Sequence, residues 1–88
     1  MLLRLLSVFM DTIYALGRLA AELDSRGWRT TLRDDRLTVA NPAAPRLNDS
    51  ITSDGRVFRW AWGQGIGPVD EVPGAADRIV HVLRSVEP

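Results

Sequence analysis

From Asp11 onwards apolar residues recur at helical spacing. Ile13, Leu16, Leu19, Ala20 and Leu23 fall on one face, and Arg18, Glu22 and Asp24 are left towards water. The pattern predicts an amphipathic helix. It stops at Ser25-Arg26-Gly27, where Gly27 suits the left-handed conformation that closes a helix and Trp28 suits the apolar contact that often follows. The period then changes from 3.6 to two. Trp28, Thr30 and Leu32 alternate with Arg29, Thr31 and Arg33, and beyond Asp34-Asp35 the residues Leu37 and Val39 alternate with Arg36 and Thr38. Such alternation about a two-residue polar turn predicts a β-hairpin.

Asn41-Pro42-Ala43-Ala44-Pro45 interrupts the alternation, because two prolines remove backbone donors and bias the residues before them away from helix. A crossing loop is expected there, with a third strand over Leu47–Thr52. After the turn Ser53-Asp54-Gly55, Val57–Trp62 reads as the strongest strand of the chain. Gly63-Gln64-Gly65-Ile66-Gly67-Pro68 is too rich in glycine to extend it and reads as a flexible crossover. Ala76, Ile79, Val80, Leu83 and Val86 then form a second helical stripe. Pro73 suits its first turn, and Asp70 and Glu71 lie near its positive end. The expectation is one α+β domain over residues 10–88. Its antiparallel β-meander of three to four strands is flanked by an N-terminal and a C-terminal helix, in the order α-β-β-β-β-α. Both helices cover one face and bury their stripes against Trp60, Leu32 and Val39.

Residues 1–9 read as an apolar extension or start of the first helix, since Met10 could itself begin the chain. A membrane span needs about 20 apolar residues, and Asp11 arrives too soon. A signal peptide would need a basic leading segment and a small-residue cleavage site, neither of which is expected here.

Composition narrows the function classes. In 88 residues, 45% hydrophobic and 25% charged side chains describe an ordinary globular domain. Eleven basic residues balance eleven acidic ones, so no overall attraction to a polyanion or acidic membrane is expected, and charge-based binding must come from a local patch. Every basic residue apart from His81 is arginine, which fits bidentate carboxylate or phosphate contacts and equally fits a GC-rich coding sequence. Cysteine is absent, which excludes disulfides, thiolate metal sites and cysteine nucleophiles, and makes the cytoplasm the expected location.

His81 is the only histidine and lies two residues from both Ile79 and Leu83, off the buried stripe. With no second histidine and no carboxylate pair at ligand spacing it reads as a solvated helix residue. No serine lies in a nucleophile-elbow context, so the chain is not expected to be an enzyme. Gly63, Gly65 and Gly67 superficially suggest a phosphate loop. No Lys-Ser/Thr pair follows them, the flanking strands read as antiparallel, and Asp70 and Glu71 would repel a phosphate. Asp34-Asp35 and Asp70-Glu71 lack the further oxygen ligands of a calcium loop. No catalytic residue, metal or cofactor site is expected.

The aromatic strand is more informative. Phe58, Trp60 and Trp62 share one face, and a domain this small can bury one or two such rings. Trp62, nearest the glycine segment, is the candidate interface anchor, with Phe58 as a second candidate. The opposite face would carry Arg29, Arg33, Arg36 and Arg59 among Thr31 and Thr38. Those arginines are candidates for docking an acidic partner or an RNA backbone, although no ring beside them could stack on a base.

Arg26-Gly27-Trp28, Leu37-Thr38-Val39-Ala40-Asn41-Pro42, Phe58-Arg59-Trp60-Ala61-Trp62-Gly63 and Ala75-Ala76-Asp77-Arg78-Ile79 resemble the pattern of a group of short actinobacterial proteins, over about residues 10–86. Members of that group often accompany helix-turn-helix regulators, so the resemblance implies a regulatory accessory role and carries over no functional residues. The order helix, antiparallel sheet, helix is also similar to a double-stranded RNA-binding domain. That likeness fails where such a domain needs a basic start to its last helix, because Asp70, Glu71 and Asp77 stand there with only Arg78. The sequence therefore favours a non-catalytic, self-associating or partner-binding accessory protein. An RNA-binding module using the arginine face is the alternative.

Overall fold

The computed structural model describes residues 2–84, with side chains from Met10 onwards. Seven elements follow one another: α1 (Leu2–Ser25), β1 (Arg29–Arg33), β2 (Arg36–Asn41), β3 (Ala44–Ser53), β4 (Val57–Trp60), β5 (Gly65–Pro68) and α2 (Val72–Arg84). The strands pair in sequence order, each antiparallel to the next. Leu16, Leu19 and Leu23 of α1 and Ala76, Ile79 and Leu83 of α2 pack with Leu37, Val39, Ile51, Phe58, Trp60 and Ile66 of the sheet in one core. Both predicted helical stripes therefore bury against one face of an antiparallel meander, and the fold is α+β. Val86, expected to extend the second stripe, lies outside the described residues. Among those residues no helix is long and apolar enough to cross a membrane.

Local chemistry explains where α1 ends. The Trp28 N–H donates to Leu23 O at 3.0 Å and the Gly27 N–H to Asp24 O at 2.9 Å, and Gly27 has φ 85°. This pair of bonds satisfies two carbonyls that the helix leaves without partners, and it needs the positive φ that glycine adopts without strain. Trp28 then packs against the core, as its place after Gly27 predicts. The β1–β2 turn is equally local: Arg33 pairs with Arg36, and Asp34 takes φ 51° between them. Aspartate tolerates that conformation better than most residues.

Four expectations need correction. The first concerns Gly65–Pro68, which is not a crossover but a fifth strand, with Gly67 opposite Phe58 and Pro68 opposite Val57. Ile66 is its one large apolar residue and is 2% exposed, so a single anchored side chain holds a segment of low strand propensity at the sheet margin. Proline is tolerated there because β5 is an edge strand. Second, β4 stops at Trp60 rather than Trp62. The Trp60 N–H donates to Gln64 O and the Gly63 N–H to Trp60 O, both at 2.8 Å, closing a tight turn in which Gly63 has φ 113°. Third, Asn41–Pro45 is not a crossing loop: Asn41 pairs directly with Ala44, and β3 starts there, beside a register shift at Ala40/Asn41 that accommodates Pro45. Fourth, Leu32 is not core; it lies on the other edge strand and is 38% exposed.

The β3–β4 turn is fastened by one carboxylate. Asp54 Oδ1 accepts the Val57 N–H at 3.0 Å and the Arg56 N–H at 2.9 Å, and Arg59 stands 4.0 Å away. These two backbone donors, helped by the Arg59 charge, hold the Asp54 carboxyl below its ordinary 3.8. A folded value below the unfolded one adds stability at pH above the unfolded value, and that contribution disappears as pH falls through the folded value. A carbon-detected NMR titration is expected to place the Asp54 midpoint below 3.8, with the Arg56 and Val57 amides shifting in step. An Asp54→Asn variant, which keeps an acceptor oxygen, should lose this acid dependence. A midpoint at or above 3.8 would contradict the assigned bonds.

Candidate functional site

The three aromatic side chains separate once folded. Phe58 is fully buried and Trp60 is 4% exposed, whereas Trp62 is 60% exposed. Phe58 is therefore a core residue and not a surface contact, because its position opposite Ser53 in mid-sheet points its ring under the helices. Trp62 leaves the strand but not its neighbours. Its ring stacks on that of Trp60, with centroids 6.0 Å apart and planes 6° from parallel. Its indole N–H donates to Asp49 Oδ2 at 3.0 Å, and Asp49 is itself fixed by the Ser50 N–H, which donates to Oδ1 at 2.7 Å. A large exposed apolar ring is thus held by a stack, a hydrogen bond and a tight turn. The sequence placed Trp62 on a continuing strand and contained no sign of Asp49 as its partner.

Beside this pair, between the β4–β5 turn and α2, lies a cleft of about 430 Å³. Trp60, Ile66 and Val82 give it apolar walls, and Gln64, Arg78 and His81 bring polar groups to it. Arg78 Nη1 donates to Ile66 O at 2.9 Å, which pins the guanidinium across the margin of β5. Asp77 also borders the cleft, but its carboxylate accepts from Arg26 Nη1 at 2.6 Å. Arg26 further donates to Glu22 at 3.0 Å and to Pro73 O at 3.3 Å, tying the end of α1 to the start of α2. These partners, Asp77 first, raise the Arg26 pKa above its ordinary value, so the guanidinium keeps its charge at every ordinary pH. His81 is exposed, as its place off the buried stripe predicts, yet it borders an apolar cleft that spacing alone does not reveal.

The opposite sheet face carries the other sequence candidates. Arg29, Arg33, Arg36 and Arg59 are all exposed there, among Thr31, Thr38 and Thr52. Arg59 has Asp54 at 4.0 Å, and among the described residues Arg29, Arg33 and Arg36 have no ion-pair partner. No described aromatic ring stands on this face: Trp28, Phe58 and Trp60 pack inward, and Trp62 lies on Trp60.

Both sheet edges are poor templates for another strand. Two antiparallel β1 strands paired about Thr31 would set Arg29 of each copy against Arg33 of the other, a like-charge contact. On β5, Pro68 offers no N–H and Ile66 O is occupied by Arg78. Among the described residues no group of three or more His, Asp or Glu side chains could hold a metal ion. Comparison with protein families, with curated proteins and with solved structures finds no match to this chain.

Proposed function

We propose that the chain is a non-catalytic interaction protein that self-associates and serves as an accessory subunit of a regulatory complex in the cytoplasm. One observation carries the reading: Trp62 is 60% exposed yet held by Trp60 and Asp49. Ordering a free side chain on binding costs about 0.5–1.5 kcal/mol, and a ring already fixed avoids most of that cost. Tryptophan is also the residue type most enriched among interface anchors. Closed sheet edges support the same reading, since they leave side-chain surface rather than strand addition as the route to a partner.

The test is a pair of measurements on one variant. Trp62→Ala is expected to leave the folded monomer largely intact in thermal unfolding, while weakening self-association in sedimentation equilibrium by about 2 kcal/mol or more, roughly 30-fold. Wild-type protein that stays monomeric at millimolar concentration would remove the self-association. Unfolding of Trp62→Ala on the scale of a core deletion would remove the anchor.

A further inference from the structure

Charge and shape in the cleft beside Trp62 define what it can hold. Its volume of about 430 Å³ lies within the range of small-ligand sites. It is open along one side and runs between a helix and a turn, which suits one side chain of an extended segment better than an enclosed molecule. Trp60 forms an apolar wall and is backed by Trp62, so it cannot swing away without breaking the stack.

The charges are uneven. Asp77 is the carboxylate bordering the cleft, and it is engaged by Arg26 at 2.6 Å. Arg78 has no carboxylate partner among the described residues, and its one recorded bond, from Nη1 to Ile66 O, uses only part of a five-donor guanidinium. The bond fixes the group without neutralising it. Arg84 stands six residues further along α2 and is exposed, adding a second positive charge to the helix beyond the cleft. A cation held beside an apolar wall selects a carboxylate attached close to an apolar group. A basic segment would meet the like charge of Arg78, and a neutral one would leave its charge without a counter-ion from the segment.

We propose that this cleft binds an acidic extended segment of a partner protein, with one aliphatic side chain against Trp60, Ile66 and Val82 and the neighbouring carboxylate on Arg78. His81 and Gln64 supply the remaining polar contacts at the mouth. The inference rests on the reading of the chain as an interaction protein but uses a different group from the Trp62 anchor, so the two can fail separately.

The probe is a blocked pentapeptide with one leucine beside one glutamate in a glycine-serine background, titrated at low salt into ¹⁵N-labelled protein held at a concentration where sedimentation shows a single species. The expected result is saturable shifts of the Trp60 indole, the Gln64 side-chain amide and the Gly65, Ile66 and His81 backbone amides. Replacing the peptide glutamate by glutamine should weaken binding about three- to fivefold, the scale of a partly exposed ion pair, and replacing it by lysine should weaken binding further. On the protein side, Arg78→Gln should abolish the preference for the acidic peptide, while Arg78→Lys, which keeps the charge if the first variant unfolds, should retain it. Equal binding of all three peptides overturns the proposal, as does an absence of cleft shifts at millimolar peptide. Shifts confined to Arg29, Arg33 and Arg36 also overturn it and assign acidic partners to the sheet face. In each of these cases the Trp62→Ala sedimentation result still decides the self-association reading.

Discussion

Trp60→Ala is expected to destabilise the protein by about 3–5 kcal/mol, the usual cost of deleting a large buried aromatic side chain. Trp60 is 4% exposed, pairs with Ile51 across β3 and β4, and belongs to the same core as Phe58 and the leucines of α1. Deleting the indole removes transfer free energy and leaves a cavity that rigid strands cannot close. A domain of this size has a total stability of only about 4–13 kcal/mol, so the loss takes a large share of it. Urea unfolding followed by tyrosine fluorescence and far-UV circular dichroism measures it. The same substitution withdraws the surface on which Trp62 stacks, so self-association should weaken even where the variant remains folded. Trp62→Ala, by contrast, should change association far more than stability. In a double-mutant cycle the two positions should couple, because one ring holds the other. Stability changes below about 1 kcal/mol for Trp60→Ala would mean that the ring is not a structural member of this core.

The helices and first hairpin were readable because each is a local pattern that packing reinforces. Leu16, Leu19 and Leu23 recur at the helical period and are all fully buried, and the Gly27-Trp28 stop signal works through backbone bonds only a few residues long. The fifth strand was not readable. Gly65-Ile66-Gly67-Pro68 has neither alternating large side chains nor strand propensity, and it pairs because β4 lies beside it and Ile66 finds the core. Nor could the sequence place the β2–β3 turn, where Pro42 and Pro45 suggest a break, while Pro42 falls inside the tight turn closed by Asn41 and Ala44 and Pro45 beside the register shift that follows.

The candidate site divides the same way. Exposure of the four arginines follows from strand alternation, which is a property of the chain alone, whereas alternation sets Trp62 on the buried face of Phe58 and Trp60, and its exposure comes from the tight turn that ends β4 at Trp60. The Asp49 bond to Trp62, the cleft at His81 and the tie from Arg78 to Ile66 O join residues 12 or more positions apart, and none leaves a periodic trace. Phe58 was misread for a related reason. Alternation gives the face of a strand but not which positions on that face lie beneath a helix.

Asn41→Ala is expected to cost about 1–3 kcal/mol, because it strips partners from the buried Leu83 carbonyl and the partly buried Ala43 N–H at once. Asn41 is 5% exposed, and its Nδ2 donates to Leu83 O at 3.2 Å while its Oδ1 accepts the Ala43 N–H at 2.9 Å. Leu83 O is among the last carbonyls of α2, which have no partner within the helix. The side chain therefore fastens the C-terminal turn of α2 to the β2–β3 corner. Asn41→Asp separates the donor from the bulk. At neutral pH the aspartate keeps the bond from Ala43 but sets a negative charge against the negative end of α2, so it should destabilise at least as much as alanine. That environment raises the carboxyl pKa above its unfolded value, so the protonated form, which can donate to Leu83 O, contributes stability at low pH that disappears as pH rises. Urea unfolding at pH 7 and at about pH 4, each against wild type at the same pH, should show the Asn41→Asp deficit shrinking in acid while the Asn41→Ala deficit stays nearly constant. Amide exchange in the last turn of α2 should accelerate in both variants at neutral pH. A deficit for Asn41→Asp that does not depend on pH would show that the contact with Leu83 O does not hold the helix end in place.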